Sequence, residues 1–204
     1  MNNFLLVCSL LSVPAHLFLI LYGPNQKLDQ KSGDEKKDKH TTFLVMTCIF
    51  SLTIAVHIIG VLLRFSLWTN PPAFLSWGYF GDRGWAYPVG AALFIFGFWL
   101  RIIAIYTLGK FFTFQIGIRA NEHRVISHGV YAFFRHPGYA GYIYAVLGIH
   151  IAHGFLFGIL FSIFMILIVY GFRIPAEEKM LTEYFGDEYR AYSKKTKRFI
   201  PFIF

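Results

Sequence analysis

AYPVGAALFIFGFWLRIIAIYTL, running from Ala86 to Leu108, carries a single charge, Arg101. A bilayer crossing takes about 20 residues at about 1.5 Å rise each, so this run reads as a membrane span. Similar runs flank it. Upstream lie 4–22, which holds Pro14 and His16, and 42–63; downstream lie 139–153 and 155–172, two shorter runs meeting at Gly154. The last pair predicts a tight helical hairpin, slightly undersized for full crossings. The expected fold is all-α and integral to the membrane, with about five transmembrane helices in one domain, 1–204.

Composition agrees. Of 204 residues, 56% are hydrophobic and 15% charged, with 24 Phe and a mean hydropathy of +0.52. A soluble domain carries roughly 25% charged residues, and a disordered chain needs low hydrophobicity; this chain is neither. Residues 1–22 contain no Lys or Arg, so they lack the positive start of a signal peptide and read as the first span. Cys8 and Cys48 sit in apolar runs without the spacing of a disulfide framework or zinc site, and no metal is expected. His150 and His153 form a single HxxH, read as lining a helix end.

The net charge of +8 is split among the flanks of the spans, which excludes nucleic acid as the expected partner and fits the positive-inside bias. Lys27, Lys31, Lys36, Lys37 and Lys39 mark 24–40 as cytoplasmic. The 65–85 loop, with Trp68, Trp77, Tyr79 and Trp85, belongs to the far side. Lys110, Arg119, Arg124 and Arg135, and later Arg173, Lys179, Arg190, Lys194, Lys195, Lys197 and Arg198, mark the cytoplasm again. The N-terminus is then outside and the C-terminus inside, with the water-facing segments 109–137 and 173–204 both cytoplasmic. Within the tail, Leu181, Tyr184, Phe185, Tyr189 and Tyr192 recur at helical spacing. They predict a cytoplasmic amphipathic helix against the membrane face or over a site. Pro175 suits its first turn, and Gly186 marks a break. The apolar end 199–204 is expected to dip into the interface.

Two clusters carry chemistry. The stretch from His123 to Tyr142 packs His, Arg and Tyr just before a span, and Pro137-Gly138 breaks the chain there. The amides so freed at a helix start favour a carboxylate or phosphate; an ordinary basic juxtamembrane loop is the plainer alternative. The second cluster is Arg173-Ile-Pro-Ala-Glu177-Glu178. Arg173 is placed either to clamp a carboxylate or to snorkel. Glu177, one turn on, is placed to pair with it or to face a cation. Arg101 inside its span is a functional candidate or a second snorkelling arginine. GxGxxG, GxxxxGK[ST] and GxSxG are absent.

Arg135-His136-Pro137-Gly138-Tyr139-Ala140-Gly141, then Glu177-Glu178-Lys-Met-Leu181, Phe185-Gly186-Asp187-Glu188-Tyr189-Arg-Ala-Tyr192 and Arg198-Phe-Ile-Pro201, resemble the isoprenylcysteine carboxyl methyltransferase family from about residue 112 onward. The likeness is to a small, minimal integral-membrane member. It implies S-adenosylmethionine as cofactor, bound on the cytoplasmic side by a part spanning about 109–204. The positions it implies for the cofactor are Gln115, His123, Arg124, Val125, Ile126, Tyr131, His136, Pro137, Gly138, Tyr139 and Glu177. It implies Arg173 as the substrate-binding residue, and Arg173 and Glu177 as the catalytic pair. The implied reaction is methyl transfer to the C-terminal carboxylate of an isoprenylated cysteine or a similar lipid-like carboxylate. Membrane lipids are the surroundings, and small residues such as Gly141 and Gly148 are expected to leave room for the lipid tail. The rival readings are a phospholipid or amine methyltransferase and a non-enzymatic membrane scaffold.

Overall fold

The computed structural model describes residues 55–56, 58–62, 84–112 and 124–198. The expected span 4–22, most of 42–63, the loops 24–40 and 65–83, Gln115, His123 and the end 199–204 lie outside the described residues. The described residues are helical, without a strand. They form α1 (Ala86–Leu108), α2 (Pro137–His153), α3 (Leu156–Ile168), α4 (Ile174–Phe185) and α5 (Asp187–Lys195).

α1 and α2 pack antiparallel along a seam of small residues. Gly90 faces Gly148 and Gly97 faces Gly141, so each helix presents glycine every seventh residue. A Cβ on Gly90 would lie 2.5 Å from the Gly148 carbonyl oxygen, and one on Gly97 2.6 Å from that of Gly141. The reciprocal distances, from Gly141 to the Gly97 oxygen and from Gly148 to the Gly90 oxygen, are both 2.7 Å. No side chain fits at these four positions, and the backbones meet directly, as small residues allow between apolar helices. Ala86 and Ala152 extend the seam at one end. This corrects one expectation: Gly141 and Gly148 leave no room for a lipid tail, because α1 fills it.

Gly154 ends α2 in the left-handed region (φ +69°). The amide of Phe155 then reaches the His150 carbonyl, closing the turn to α3 as a glycine C-cap does. The expected hairpin joint is there. His150 and His153 are fully buried. His150 Nδ1 lies 3.1 Å from Ser162 Oγ, and the Ser162 hydroxyl donates to the Gly158 carbonyl. That leaves the His150 ring as the donor in the first bond. His150 lines the α2–α3 contact.

α3 does not stop at the end of its apolar run. A π-helical turn, Val169–Arg173, carries it directly into α4, giving one helix over Leu156–Phe185. Pro175 lacks the amide that would bond back to residue 171, and a π turn absorbs such a gap. Its rotation leaves Phe172 76% exposed while Arg173 is 6% exposed. Arg173 was expected to close a span; instead it is a buried residue in mid-helix. This helix and Ala86–Phe111 are each long and apolar enough to cross a membrane. Their outer faces expose Phe96, Trp99, Leu160, Phe164 and Leu167. Gly186 (φ +56°) breaks the chain between α4 and α5 where expected, at a backbone angle that favours glycine.

Gly97→Val is expected to destabilise the protein by at least about 2 kcal/mol, since the added side chain meets backbone that cannot yield. Gly171→Ala, with open space at its Cβ, is expected to be close to neutral. Thermal unfolding in detergent compares the two.

Candidate active site

The seam sets α2's first turn against the lower half of α1. Arg101 Nη1 donates to the Gly138 carbonyl at 2.8 Å, and its guanidinium lies 5.4 Å from the centre of the Tyr142 ring. Arg101 therefore ties two helices together rather than snorkelling. His136 caps α2, accepting from the amide of Ala140, and Pro137 occupies the first turn. The first-turn amides of Gly138 and Tyr139 have no carbonyl within the helix to bond. A Cβ on Gly138 would meet nothing within 4 Å, so that side of the turn is open.

Across from this turn stand Arg173, Glu177 and Glu178. Neighbouring residues on a helix point about 100° apart, and the two carboxylates serve different partners. The Tyr139 hydroxyl donates to Glu177 Oε2 at 2.7 Å and accepts from Arg173 Nε at 2.8 Å. A single phenol thus bridges a buried guanidinium and a carboxylate. Arg173 also lies 6.0 Å from the centre of the Tyr139 ring, and the His136 and Tyr139 rings are 5.9 Å apart.

Glu178 gathers three side chains. It accepts from Arg135 Nε at 2.8 Å, lies 3.3 Å from His136 Nε2, and accepts from Arg198 Nε and Nη2 at 3.0 and 2.7 Å. Arg135 Nη1 donates in turn to the carbonyls of Ser193 and Thr196. Residues 196–198 run beside 133–136: Arg135 N donates to Lys197 O, Lys197 N to Phe133 O, and His136 N to Arg198 O. Tyr192 completes the join, its hydroxyl donating to the carbonyls of Tyr131 and Phe134. The apolar part of the long helix ends at Phe172, and Glu178 lies beyond it. Burial works against its charge, but hydrogen bonds from His136 and Arg198 and the charge of Arg135 outweigh it. The carboxyl is held down at about 2, from an ordinary 4.5.

Among the residues singled out in the sequence, the structure brings together Tyr131, His136, Pro137, Gly138, Tyr139, Arg173 and Glu177. Tyr131 is buried with Ala104 and Ile126. Its phenol is pushed up by burial and by the nearby charge of Glu177. Ile126 is 8% exposed and serves as core. Exposed Arg124 and half-buried Val125 stand in the extended stretch leading to it. Sequence reasoning missed the Glu178 cluster. The signal was present in the adjacent acids at 177 and 178 and in the basic pair Arg135 and Arg198, but nothing local joins residues so far apart.

The sequence model of the isoprenylcysteine carboxyl methyltransferase family matches residues 90–183. That match bears out the resemblance read in the sequence. It takes in the glycine seam, the Arg-His-Pro turn and the Arg173–Glu178 helix. A probable protein-S-isoprenylcysteine O-methyltransferase of Oryza sativa subsp. indica is 37% identical over 119 residues, covering 56% of this chain and 61% of that protein. The Homo sapiens protein-S-isoprenylcysteine O-methyltransferase is 32% identical over 123 residues, covering 58% and 42%. The chain thus spans about three-fifths of the rice relative's length. The solved structure of the eukaryotic intramembrane Ras methyltransferase superposes with a TM-score of 0.57 at 24% identity, covering 92% of this chain and 71% of that one. The two share a fold. That protein is described as intramembrane, and two described helices of this chain are long and apolar enough to cross a membrane.

The Glu178 carboxyl stays ionised in the folded protein below the pH at which an unfolded chain protonates it. Its stabilisation is therefore full above about 4.5 and fades as pH falls towards about 2. Glu178→Gln is expected to lower stability at neutral pH by about 2 kcal/mol and to flatten that acid arm. Unfolding midpoints measured from about pH 6 to about pH 2 check both.

Proposed function

We propose that this protein is a membrane-embedded methyltransferase that transfers a methyl group from S-adenosylmethionine to a carboxylate on a lipid-like acceptor, the C-terminal carboxylate of an isoprenylated cysteine or a close analogue. The observation that carries the reading is the Arg173–Tyr139–Glu177 bridge, a guanidinium and a carboxylate held on one phenol where an apolar helix runs out into polar sequence. We further propose one domain, 1–204, with about five transmembrane helices. Its N-terminus is outside, its C-terminus inside, and its site faces the cytoplasm. The cofactor-binding and catalytic part is about 109–204, with α5, beyond the break at Gly186, as the amphipathic C-terminal element along the membrane face.

The residues present suit a cationic cofactor. Glu177 supplies a negative charge among aromatic rings, and the phenols of Tyr131 and Tyr139 both feel it. His136, Pro137, Gly138 and Tyr139 would hold the cofactor from α2's first turn, where the side of Gly138 is open. Arg124, Val125 and Ile126 would flank it, together with Gln115 and His123, which lie outside the described residues. When bound, S-adenosylmethionine supplies a methyl group on a positive sulfur.

Everything else falls to the chain. Arg173 orients the acceptor carboxylate, a task suited to a planar guanidinium. A carboxylate is already ionised near neutral pH, so no residue has to remove a proton. Negative charge on the acceptor disappears as the ester forms, so Arg173 must position it without over-stabilising it. The phenol of Tyr139 limits that hold by engaging Nε from one side. Burial of the cluster excludes water and strengthens the orienting contacts. Because α1 fills the α1–α2 seam, the acceptor's lipid tail lies elsewhere, against the apolar outer faces.

Purified protein in detergent, supplied with labelled S-adenosylmethionine and a farnesylated cysteine analogue, tests the assignments. Arg173→Ala and Glu177→Ala are expected to lose about 10²-fold or more in turnover. Tyr139→Phe is expected to lose about tenfold, the scale of one hydrogen bond. All three should elute as folded protein. Retention of full activity by both alanine variants would refute the site, and tolerance of Arg173→Ala alone would favour an amine acceptor, which needs no carboxylate clamp.

A further inference from the structure

Tyr189, on α5, takes no part in the contacts described so far. It is 4% exposed, and among the described residues its hydroxyl has no hydrogen-bond partner. Such an orphan is costly in a folded protein. Its neighbour Tyr192, with ring centres 5.8 Å apart, satisfies its own hydroxyl on two backbone carbonyls.

The surroundings of Tyr189 indicate what it awaits. Burial pushes its phenol up, and the charges of Glu178 and Glu177 add to this while Arg135 opposes it. The hydroxyl therefore stays protonated at any working pH and is available as a donor. The Glu178 oxygens are taken by Arg135, His136 and Arg198. Glu177 gives one oxygen to Tyr139. A buried donor that feels the charges of two carboxylates suits a neutral ligand group that accepts from the phenol and donates to Glu177. A ligand carboxylate would be repelled there, and an ammonium offers no acceptor. A sugar hydroxyl does both.

We propose that Tyr189 is a cofactor-positioning residue whose hydroxyl donates to a ribose hydroxyl of the bound S-adenosyl group, with the second oxygen of Glu177 as that hydroxyl's acceptor. This rests on the cofactor assigned above. It adds α5 to the site, so the segment beyond Gly186 contributes directly to binding as well as closing over it.

The test measures binding of S-adenosylhomocysteine and of its 2′-deoxy and 3′-deoxy ribose analogues to the full-length protein in detergent. Thermal midpoints without ligand are recorded alongside. Tyr189→Phe is expected to bind S-adenosylhomocysteine about tenfold more weakly, with an unliganded midpoint equal to or above wild type. Wild type is expected to lose a similar factor with one deoxy analogue, and Tyr189→Phe to lose little more. Tyr192→Phe, which removes a structural bond, should instead lower the unliganded midpoint. Equal S-adenosylhomocysteine binding by wild type and Tyr189→Phe overturns the proposal while leaving the cofactor in place. An equal drop by Tyr189→Phe for parent and both analogues overturns the ribose assignment. Failure of wild type to bind S-adenosylhomocysteine removes the cofactor reading, and this proposal falls with it.

Discussion

Direct backbone contact between α1 and α2 is the constraint on which the rest depends. Four glycines let two apolar helices approach until the carbonyl of one occupies the space of the other's missing side chain. In an apolar environment there is no hydrophobic gain from pairing helices, so close van der Waals contact and buried hydrogen bonds must hold them. The seam fixes register as well as distance. It is that register which brings Arg101 to the Gly138 carbonyl and presents the Arg-His-Pro turn at the point where α3 passes into α4.

The second level of organisation is electrostatic. Adjacent carboxylates on α4 diverge by the helical angle, and the fold uses the divergence. Glu178 faces Arg135, His136 and Arg198 and holds the C-terminal strap against the turn. Glu177 faces Tyr139 and, through it, Arg173. One carboxylate is held by Arg135, His136 and Arg198, whereas among the described residues the other has a single phenol on one oxygen. Saturation suits a group that stabilises structure, and open capacity suits a group that meets a ligand. The π turn before α4 belongs to the same design, since it turns Arg173 inward while its neighbour Phe172 faces out.

Much of this was legible in the sequence because it is local. The apolar runs, the joint at Gly154 and the break at Gly186 follow from the backbone chemistry of single residues, whereas Pro175, expected in the first turn of a new helix, lies inside one that a π turn carries on from α3. Arg173 and Glu177 stood out as charges at the end of an apolar run. What escaped was non-local. Gly141 and Gly148 read as open space because their partners Gly90 and Gly97 lie on another helix, and small residues in a sequence do not announce whether a cavity or a backbone faces them. Glu178 carried no role of its own in the sequence until the fold delivered Arg135 and Arg198 to it. The shift of Arg173 from span end to mid-helix depended on a π turn that periodicity does not reveal. Tyr189 read as one member of an apolar face, and what sets it apart is a buried hydroxyl without a hydrogen-bond partner among the described residues.

The central claim is that the acceptor group is a carboxylate. It is tested most directly with wild-type protein, labelled S-adenosylmethionine and two farnesylated cysteine acceptors, one with a free carboxylate and one with that group as a carboxamide. Base-labile, volatile label is expected to accumulate with the free acid and to be absent with the amide. Equal labelling of both acceptors, or base-stable label on either, would contradict carboxyl methylation.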